Sequence, residues 1–337
     1  MRERSFLRWR KWSRAGRRTM AGMKAAHLAP LLAGAMLLPS AVHAQSFRAY
    51  LATYGNDTNP CTVAVPCRLL PAALNAVASG GEIWMLDSGN FNQATVDISK
   101  SVSIVAVPGQ TASIVAVNTA PAITVTTAGL KVALRNIVVA SNAANPGTNG
   151  IVVTAISALI VDGCTFMNLP GHGIGLVPTA GGAASLAVSA SFFRNNAGAA
   201  IDVRDGSVAN ISHSELAGNG DNILAIGTFA GTSTTVNVTD VSVSGGFRGV
   251  AATSSAPGAN ARAFVTRTTI HATSQGLASA SGASFGSTLV AVSNSTVAGN
   301  AAGYFQSGGP SVVKSLGNNY IDDNGADTGA LTPAALR

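Results

Sequence analysis

The stretch VDGCTFMNLPGHGIGLVPTAGGAASLAVSASFF, residues 161–193, opens and closes on one short pattern. VDGCTF (161–166) and VSASFF (188–193) both begin with valine, end with phenylalanine and have a small residue third. Between them, GIGLVP (173–178) has the composition of a short β-strand introduced by glycine. Two copies of one strand pattern 27 residues apart indicate an internal repeat, which has to be recognised before any single motif is interpreted.

The same pattern recurs in six other segments of the chain. They are LRNIVV (134–139), ISHSEL (211–216), VTDVSV (238–243), VTRTTI (265–270), VSNSTV (292–297) and SLGNNY (315–320). The eight copies start 27, 27, 23, 27, 27, 27 and 23 residues apart, and their first and sixth positions are mostly apolar. We therefore expect both positions to point into a hydrophobic core.

The third position of the pattern has a different character. It is occupied by Asn136, Gly163, Ala190, His213, Asp240, Arg267, Asn294 and Gly317. Six of these eight residues are of types enriched at positive φ. The column therefore predicts a one-residue bend between two short strands.

A further strand follows in most repeats, in segments such as GIVVTA (150–155), AIDVRD (200–205) and GVAATS (249–254). A coil of about 25 residues made of three strands cannot bury its inward face alone. Stacking equivalent coils at about 4.8 Å gives each strand hydrogen-bonded neighbours on both sides. The sequence thus predicts an all-β fold, a right-handed parallel β-helix over residues 81–325, followed by a C-terminal tail, 326–337.

Residues 45–80 are predicted to form an N-terminal cap. The segment RLLPAALNAVA (68–78) places apolar side chains on one face of a short helix that would cover the open end of the solenoid. Before it, Cys61 and Cys67 lie in one short loop, CTVAVPC, and we predict a disulfide between them. The remaining Cys164 lies among apolar neighbours, which favours a buried side chain over a reactive thiol.

The first 44 residues have the pattern of an export signal. Nine of the 21 Lys and Arg residues precede position 25, an apolar run follows from Ala25 to Leu38, and small residues lead up to Ala44. We predict cleavage between Ala44 and Gln45, with translation starting at Met1 or later, at Met20 or Met23. The mature protein would then be periplasmic, secreted or held at the cell surface.

Charge and hydropathy exclude two classes of partner for the mature chain. The net charge of +7 comes from the signal, since 12 Lys and Arg against 13 Asp and Glu remain after residue 44. These basic residues are scattered, so no stripe exists to neutralise nucleic-acid phosphates. No later stretch is apolar for 18 residues, so we expect no transmembrane helix.

The N-terminal series carries a family resemblance. YGNDTNPCTVAVPCRLLPAALNAVASGGEIWMLDSGNFN (54–92), ISKSVSIVAVPG (98–109) and LGNNYIDDNG (316–325) resemble secreted bacterial right-handed β-helix proteins of the pectin-lyase-like superfamily. That superfamily includes polysaccharide lyases, hydrolases and epimerases, and also adhesins without catalytic activity. The resemblance implies the fold, whereas an activity has to be argued from a site.

Gly171-His172-Gly173 resembles a tripeptide of polygalacturonase-type members, in which the histidine belongs to the active site. The other motifs of those enzymes, an Asn-Thr-Asp, an upstream Asp-Asp and a downstream Arg-Ile-Lys, are missing from the matching places. The only Asp-Asp pair, Asp322-Asp323, follows six repeats later, about 29 Å away along the axis. Carboxylates that flank a glycosidic bond lie roughly 5 to 10 Å apart, so this pair cannot serve His172.

A lyase-type Ca²⁺ site would need several carboxylates on one strand stack, because Ca²⁺ takes about six to eight oxygen ligands. The predicted outward positions of the third strand are Val152, Gly175, Asp202, Ala251, Ala278 and Phe305. With one acid among six, the sequence predicts no metal and no cofactor.

The charged cluster on that stack is Asp202, Arg204 and Asp205. Asp202 and Arg204 share a strand face, about 6.6 Å apart, and His172 lies one coil earlier. A solvent-exposed ion pair is the first interpretation. The alternative is a divergent catalytic site of His172, Asp202, Arg204 and Asp205. His213, Asp240 and Arg267 occupy one bend column in consecutive repeats, and we interpret them as bend residues and not as a triad.

Two functions remain from the sequence. The first is an exported β-helix of structural or binding type that contacts polysaccharide or a cell-surface component. The second is a carbohydrate-active enzyme, either a polysaccharide lyase or a glycoside hydrolase, with a divergent site. Convergence of His172, Asp202, Arg204 and Asp205 in one groove is the geometric test between them. The oligomeric state stays open.

Overall fold

The computed structural model describes residues 45–155, 158–179 and 182–334. The predicted signal peptide and the main part of its cleavage segment, residues 1–44, lie outside the described residues. The described residues belong to one compact unit. In the described part, three parallel sheets run along the molecule, and each coil contributes one strand to each sheet, which is the right-handed parallel β-helix that the repeat predicts.

Sheet A has twelve strands in the described residues and extends from the N-terminal cap to the C-terminal end. Its strands are β1 (Ser46–Leu51), β2 (Val77–Met85), β5 (Val102–Ala106), β8 (Lys131–Arg135), β11 (Ala158–Asp162), β14 (Ser185–Ser189), β17 (Val208–Ser212), β20 (Ser233–Thr239), β23 (Asn260–Thr266), β26 (Thr288–Ser293), β29 (Ser311–Ser315) and β31 (Leu331–Pro333). Strand β31 pairs with β29, so the segment predicted as a tail contributes a strand to the solenoid.

Sheet B, with ten described strands, follows sheet A in each coil. Its strands are β3 (Gly89–Asn90), β6 (Ala112–Ala116), β9 (Ile137–Ser141), β12 (Thr165–Met167), β15 (Phe192–Arg194), β18 (Glu215–Ala217), β21 (Ser242–Ser244), β24 (Thr269–His271), β27 (Thr296–Val297) and β30 (Tyr320–Ile321).

Sheet C has nine described strands and carries the candidate site. Its strands are β4 (Val96–Asp97), β7 (Ile123–Val125), β10 (Ile151–Val153), β13 (Ile174–Leu176), β16 (Ala199–Arg204), β19 (Asp221–Gly227), β22 (Arg248–Ser254), β25 (Gln275–Ser281) and β28 (Tyr304–Ser307). Each coil therefore runs from sheet C through sheet A to sheet B.

The bend between sheets A and B is the one that the third column of the repeat predicts. All eight residues of that column have positive φ, between 47° at Arg267 and 92° at Gly317. Residues other than Gly, Asn and Asp rarely adopt a positive φ. Ala190, His213 and Arg267 adopt this conformation because the stacked coils on both sides fix the turn. The prediction of a one-residue bend is confirmed.

The first and sixth columns of the repeat contribute to the core, together with the inward residues of sheet C. From Leu134 to Val297 their residues are buried, and Phe166 stacks on Phe193 in the next coil with ring centroids 4.8 Å apart. The last copy departs from the prediction, because Tyr320 is 53% exposed. Strand β30 pairs with β27 so that Tyr320 lies opposite the outward Thr296, and Ile321 takes the core position opposite Val297.

The N-terminal end is covered by helix α1 (Leu70–Ala76), shorter than the predicted 68–78. Pro71 stands in its first turn, and the Asp57 carboxylate accepts hydrogen bonds from the backbone N–H groups of Arg68 and Leu69 just before the helix. Leu70 and Leu74 pack into the core of the first coils. A disulfide joins Cys61 and Cys67 in the preceding loop.

Buried asparagines connect the coils where sheet B ends and sheet C begins. The Asn196 side-chain amide donates to Asn219 Oδ1 at 2.8 Å and to the Phe166 carbonyl, and its Oδ1 accepts from the Leu169 N–H. Asn219 in turn donates to the Phe193 carbonyl. These hydrogen bonds satisfy backbone groups that would otherwise be unpaired inside the protein. They also fix the position at which each strand of sheet C begins.

Candidate functional site

The candidate residues lie where strands β13 and β16 of sheet C are paired. Gly175 of β13 aligns with Asp202 of β16, and Arg204 lies two residues further along the same strand. His172 stands just before β13, one coil away from Asp202. Its Nε2 atom lies 3.6 Å from Asp202 Oδ2, so three of the four residues that the sequence selected do come together.

Asp202 and Arg204 form a closed ion pair. The guanidinium donates from Nε to Asp202 Oδ2 at 2.9 Å and from Nη2 to the same oxygen, and a third bond reaches Oδ1 at 3.1 Å. The hydrogen bond to Asp202 raises the pKa of Arg204 above its usual value. Arg204 is about one-third exposed, but Asp202 is fully buried, which corrects the interpretation of a solvent-exposed pair.

Burial changes what this pair means energetically. A solvent-exposed ion pair contributes about 0 to 1 kcal/mol, whereas removal of one partner from a buried pair costs about 3 to 5 kcal/mol because an uncompensated charge stays behind. Asp202 is therefore tied to Arg204. The carboxylate is not free to remove a proton from a ligand without first losing those bonds.

His172 is held on both sides by the coil stack. Its backbone N–H donates to Asn149 Oδ1 at 2.6 Å, and its ring Nδ1 accepts a hydrogen bond from the Ala199 N–H at 2.8 Å. A nitrogen that accepts a bond carries no proton, so in the neutral ring the proton lies on Nε2, the atom directed at Asp202. Neither nitrogen is left open to act as a base.

The glycines of the Gly171-His172-Gly173 tripeptide are required by close packing. A Cβ atom on Gly171 would lie 2.2 Å from Asn149 Oδ1, and one on Gly173 would lie 2.6 Å from the Ala200 carbonyl oxygen. Gly198 in the next coil would place a Cβ 2.8 Å from His172 Nδ1. The tripeptide thus has a structural reason in this chain that does not depend on catalysis.

Asp205 does not join the cluster. Its φ of 51° turns the chain at the end of β16, and its carboxylate accepts bonds from the Thr228 N–H and hydroxyl, both at 2.6 Å, and from the Phe229 N–H. Asp205 therefore fastens the turn of the next coil. The sequence does not distinguish the two aspartates, because both stand near the end of the same strand. They differ in the direction in which their side chains point.

The outward row of sheet C through Asp202 begins with an acid, Asp97, and is small or apolar at its other positions. In order along the axis it contains Asp97, Thr124, Val152, Gly175, Asp202, Leu224, Ala251, Ala278 and Phe305. All six predicted residues lie in this row. From Val152 onward the prediction lacks Leu224, since DNILAI (221–226) has no glycine directly before its inward residue, although the repeat spacing points to it.

A second ion pair on the same sheet was also missed. Asp221 of β19 aligns with Arg248 of β22, and the guanidinium donates to both carboxylate oxygens at 2.7 and 2.8 Å. The same guanidinium lies 5.6 Å from the ring centroid of Phe247, whose side chain is 52% exposed. Both arginines of this surface are therefore neutralised by an aspartate. The repeat spacing could have predicted this pair, because it places Asp221 and Arg248 at neighbouring positions of adjacent strands.

The bend residues His213, Asp240 and Arg267 are neighbours on the outside of the bend column. Arg267 donates to both Asp240 oxygens at 2.7 and 2.9 Å, and His213 Nε2 lies 3.7 Å from Asp240. The hydrogen bond from Arg267 lowers the pKa of Asp240, and that bond raises the pKa of Arg267. His213 and Arg267 are solvent-exposed and Asp240 is one-third exposed, so the three residues form a surface ion cluster at the bend.

Cys164 lies in the core, and burial raises the pKa of its thiol to about 11. Within residues 45–155, 158–179 and 182–334, no three His, Cys, Asp or Glu side chains are grouped so that they could hold a metal ion. The helix that the structure describes there is too short to cross a bilayer.

Comparison with known proteins gives the following similarities. A family model described as a domain of unknown function, DUF4957, matches residues 89–216, a range that includes His172, Asp202 and Arg204. None of the curated proteins gives a significant match to the chain.

Several solved structures are similar to the chain. A pectate lyase, Pel9A, has 12% identity over 86% of this chain and 77% of its own, with a TM-score of 0.49. A GH136 lacto-N-biosidase from Eubacterium ramulus has 10% identity over 86% and 68%, with a TM-score of 0.48. A complex of XylC with xylose has 8% identity over 80% and 68%, with a TM-score of 0.46. Similarities at this level assign no activity to the chain.

Proposed function

We propose that this chain is an exported β-helix protein that binds a glycan on the outer face of sheet C without cleaving it. The proposal rests on one observation: the proton-accepting atoms of the Asp202 cluster already have hydrogen-bond partners within the protein. Asp202 is bound by Arg204, and His172 Nδ1 is bound by the Ala199 N–H. A cluster whose proton acceptors are already bound can position a ligand but is poorly suited to acid–base chemistry.

The surface around the cluster suits a sugar chain. Phe247 presents an exposed ring beside the Asp221–Arg248 pair, whereas Asp202, Ala251 and Ala278 of the outward row are buried. The accessible part of this face therefore lies around Phe247, His172 and Arg204, which are all at least partly exposed. Binding sites commonly combine an apolar or aromatic surface with a few fixed polar groups. Because aspartates neutralise both arginines here, we expect the ligand of sheet C to be a neutral glycan.

Export is part of the same proposal. A Cys61–Cys67 disulfide is a feature of proteins that reach an oxidising compartment, and the first 44 residues have the pattern of an export signal. Both observations support a periplasmic, secreted or cell-surface protein.

A carbohydrate-active enzyme is the second candidate function. The specific observation in its favour is the convergence of His172, Asp202 and Arg204 on one strand pair. A glycoside hydrolase would need a second carboxylate near Asp202, and Asp205 is turned into the next coil. The enzyme proposal therefore rests on one carboxylate that is already paired.

The test is a binding assay on insoluble and soluble neutral polysaccharides with matched double variants. Phe247→Ala with Arg248→Gln should weaken binding at least about tenfold, which corresponds to about 1.4 kcal/mol. Phe192→Ala with Arg194→Gln is the control, because Arg194 likewise pairs with Glu215 and lies over Phe192, but on sheet B. Equal loss in both double variants would contradict a binding face on sheet C.

The same polysaccharides are incubated with the protein, with and without Ca²⁺, and assayed for unsaturated or reducing ends. The proposed function predicts no release of either. Release that disappears in Asp202→Asn would establish the enzyme instead.

A further inference from the structure

A shallow groove of about 460 Å³ lies on the outer face of sheet A, near its C-terminal end and away from the candidate site. Phe264 of β23, Ala291 of β26 and Lys314 of β29 align across it as consecutive members of one row. Arg262 lies in the neighbouring row, which follows from Thr235 of β20 and continues through Leu289 and Val312. The groove is therefore built on three stacked strands of a rigid sheet.

The two cations of this groove have no carboxylate partner among the described residues. On the sheet C surface, by contrast, Asp202 neutralises Arg204 and Asp221 neutralises Arg248. Neither Arg262 nor Lys314 takes part in any such pair within the part of the chain that the structure describes. The row through Phe264 also lacks acids from β14 to β31. It contains Ala187, Asn210, Asn237, Phe264, Ala291, Lys314 and Thr332.

The remaining walls of the groove suit a sugar ring. Phe264 is 38% exposed, and next to it Ala291 presents only a methyl group, so one face of the aromatic ring borders the depression. Ser287 and Thr332 also line the groove, and their hydroxyl groups can exchange hydrogen bonds with a ligand. Lys314 lies two strands from Phe264, about 10 Å along the axis.

We propose that this groove binds an acidic glycan, a polysaccharide whose sugar rings carry carboxylates. One ring packs against Phe264 above Ala291, and carboxylates of the chain lie against Arg262 and Lys314. The two unneutralised cations select the charge of the ligand. This site is separate from the sheet C surface, where aspartates neutralise the arginines and a neutral glycan is expected.

The hydroxyl groups of Ser287 and Thr332 favour a glycan over a membrane surface. A lipid interface would be better matched by several protruding apolar side chains, whereas Leu289 and Val312 are only partly exposed and Phe264 is the one strongly exposed apolar side chain of this groove. Anionic vesicles are therefore included in the test as the competing partner.

The experiment measures binding of the full mature chain to alginate, a polyuronate, and to dextran, a neutral polysaccharide, at low and high salt. Wild-type protein is expected to bind alginate and to release it as the salt concentration rises. The groove is not expected to bind dextran. Arg262→Gln with Lys314→Gln should weaken alginate binding at least about tenfold, and Phe264→Ala should weaken it with both charges kept.

The matched control removes two cations from the other end of the same sheet face, in Lys131→Gln with Arg135→Gln, and should retain alginate binding within about twofold. Phe247→Ala with Arg248→Gln should also retain it, which separates this site from the proposed function. Circular dichroism melts confirm that each variant is folded.

Three results would overturn the proposal. They are unchanged alginate binding in the Arg262 and Lys314 double variant, an equal loss in the Lys131 and Arg135 control, and binding only to phosphatidylglycerol vesicles and not to alginate.

Discussion

At the scale of single residues, the composition of the sheet C site depends on side-chain directions, which the sequence does not give. Asp202 and Asp205 are three positions apart, yet one carboxylate binds Arg204 on the sheet face and the other fastens the Thr228 turn. The difference arises at the end of β16, where Asp205 adopts a positive φ. Side-chain direction at a strand end depends on that single dihedral angle, so the sequence predicted the cluster but not its membership.

The packing of Gly173 gives a direct test of the stacked geometry. Gly173→Ala should lower the free energy of unfolding by about 1 to 3 kcal/mol, because its Cβ would meet the Ala200 carbonyl oxygen at 2.6 Å. Gly175→Ala, two residues along, is the control, since its Cβ would have an ordinary contact of 3.8 Å with the Ile151 oxygen. Denaturant unfolding measures both. Similar stabilities of the two variants would argue against the close approach of the coils at His172.

The Asp240–Arg267 pair predicts a pH effect of defined sign. Arg267 lowers the pKa of folded Asp240, so the pair stabilises the fold above the ordinary aspartate pKa, about 3.9, and this contribution is lost as pH falls through the folded value. In Arg267→Gln the carboxyl pKa, followed by NMR titration, should rise, and the stability difference from wild type should shrink below about pH 4. Lys314→Gln, which removes a distant cation, should leave the Asp240 titration unchanged. An unmoved Asp240 pKa in Arg267→Gln would show that the pair does not form in solution.

At the scale of the strands and turns, the sequence was most informative where the repeat is strict. The bend column was predicted in all eight copies because a positive φ selects for particular residue types and recurs with the period. From Val152 to Phe305 the outward row of sheet C was predicted except for Leu224, where the glycine signal is missing. The Asp221–Arg248 pair was not predicted because its two residues are 27 positions apart, on different strands, and neither belongs to a local sequence motif.

The internal asparagines test whether turns between sheets B and C are held by side chains. Asn196→Ala should cost about 3 kcal/mol, because it leaves the Leu169 N–H and the Phe166 carbonyl without their buried partner. Asn237→Ala removes an exposed bond of the same kind, to Asn210, and should change stability by less than about 0.5 kcal/mol. The midpoint of chemical unfolding compares the two. Equal midpoints would mean that water replaces the buried amide without cost.

At the scale of the whole molecule, each coil is stabilised mainly by the coils on either side, so the ends are the weakest places. Helix α1 meets this problem at the N-terminal end by placing Leu70 and Leu74 against the first coils. The cap was predictable because an amphipathic segment precedes an uninterrupted series of strands. The exposed Tyr320 at the other end was not, because one extra residue between β29 and β30 moves the core position of that copy from Tyr320 to Ile321.

The cap can be tested with two aspartate substitutions on one helix. Leu74→Asp introduces a charge into the covered end of the core, so it should lower the unfolding midpoint and expose the edges of the first strands, which then pair with other molecules. Asn75→Asp introduces the same charge at an exposed position of α1 and should behave as wild type. Size-exclusion chromatography with light scattering, read beside thermal melts, distinguishes the variants. If Leu74→Asp elutes and melts like Asn75→Asp, the first coils are stable without the helix, and the end of the solenoid is protected by β1 alone.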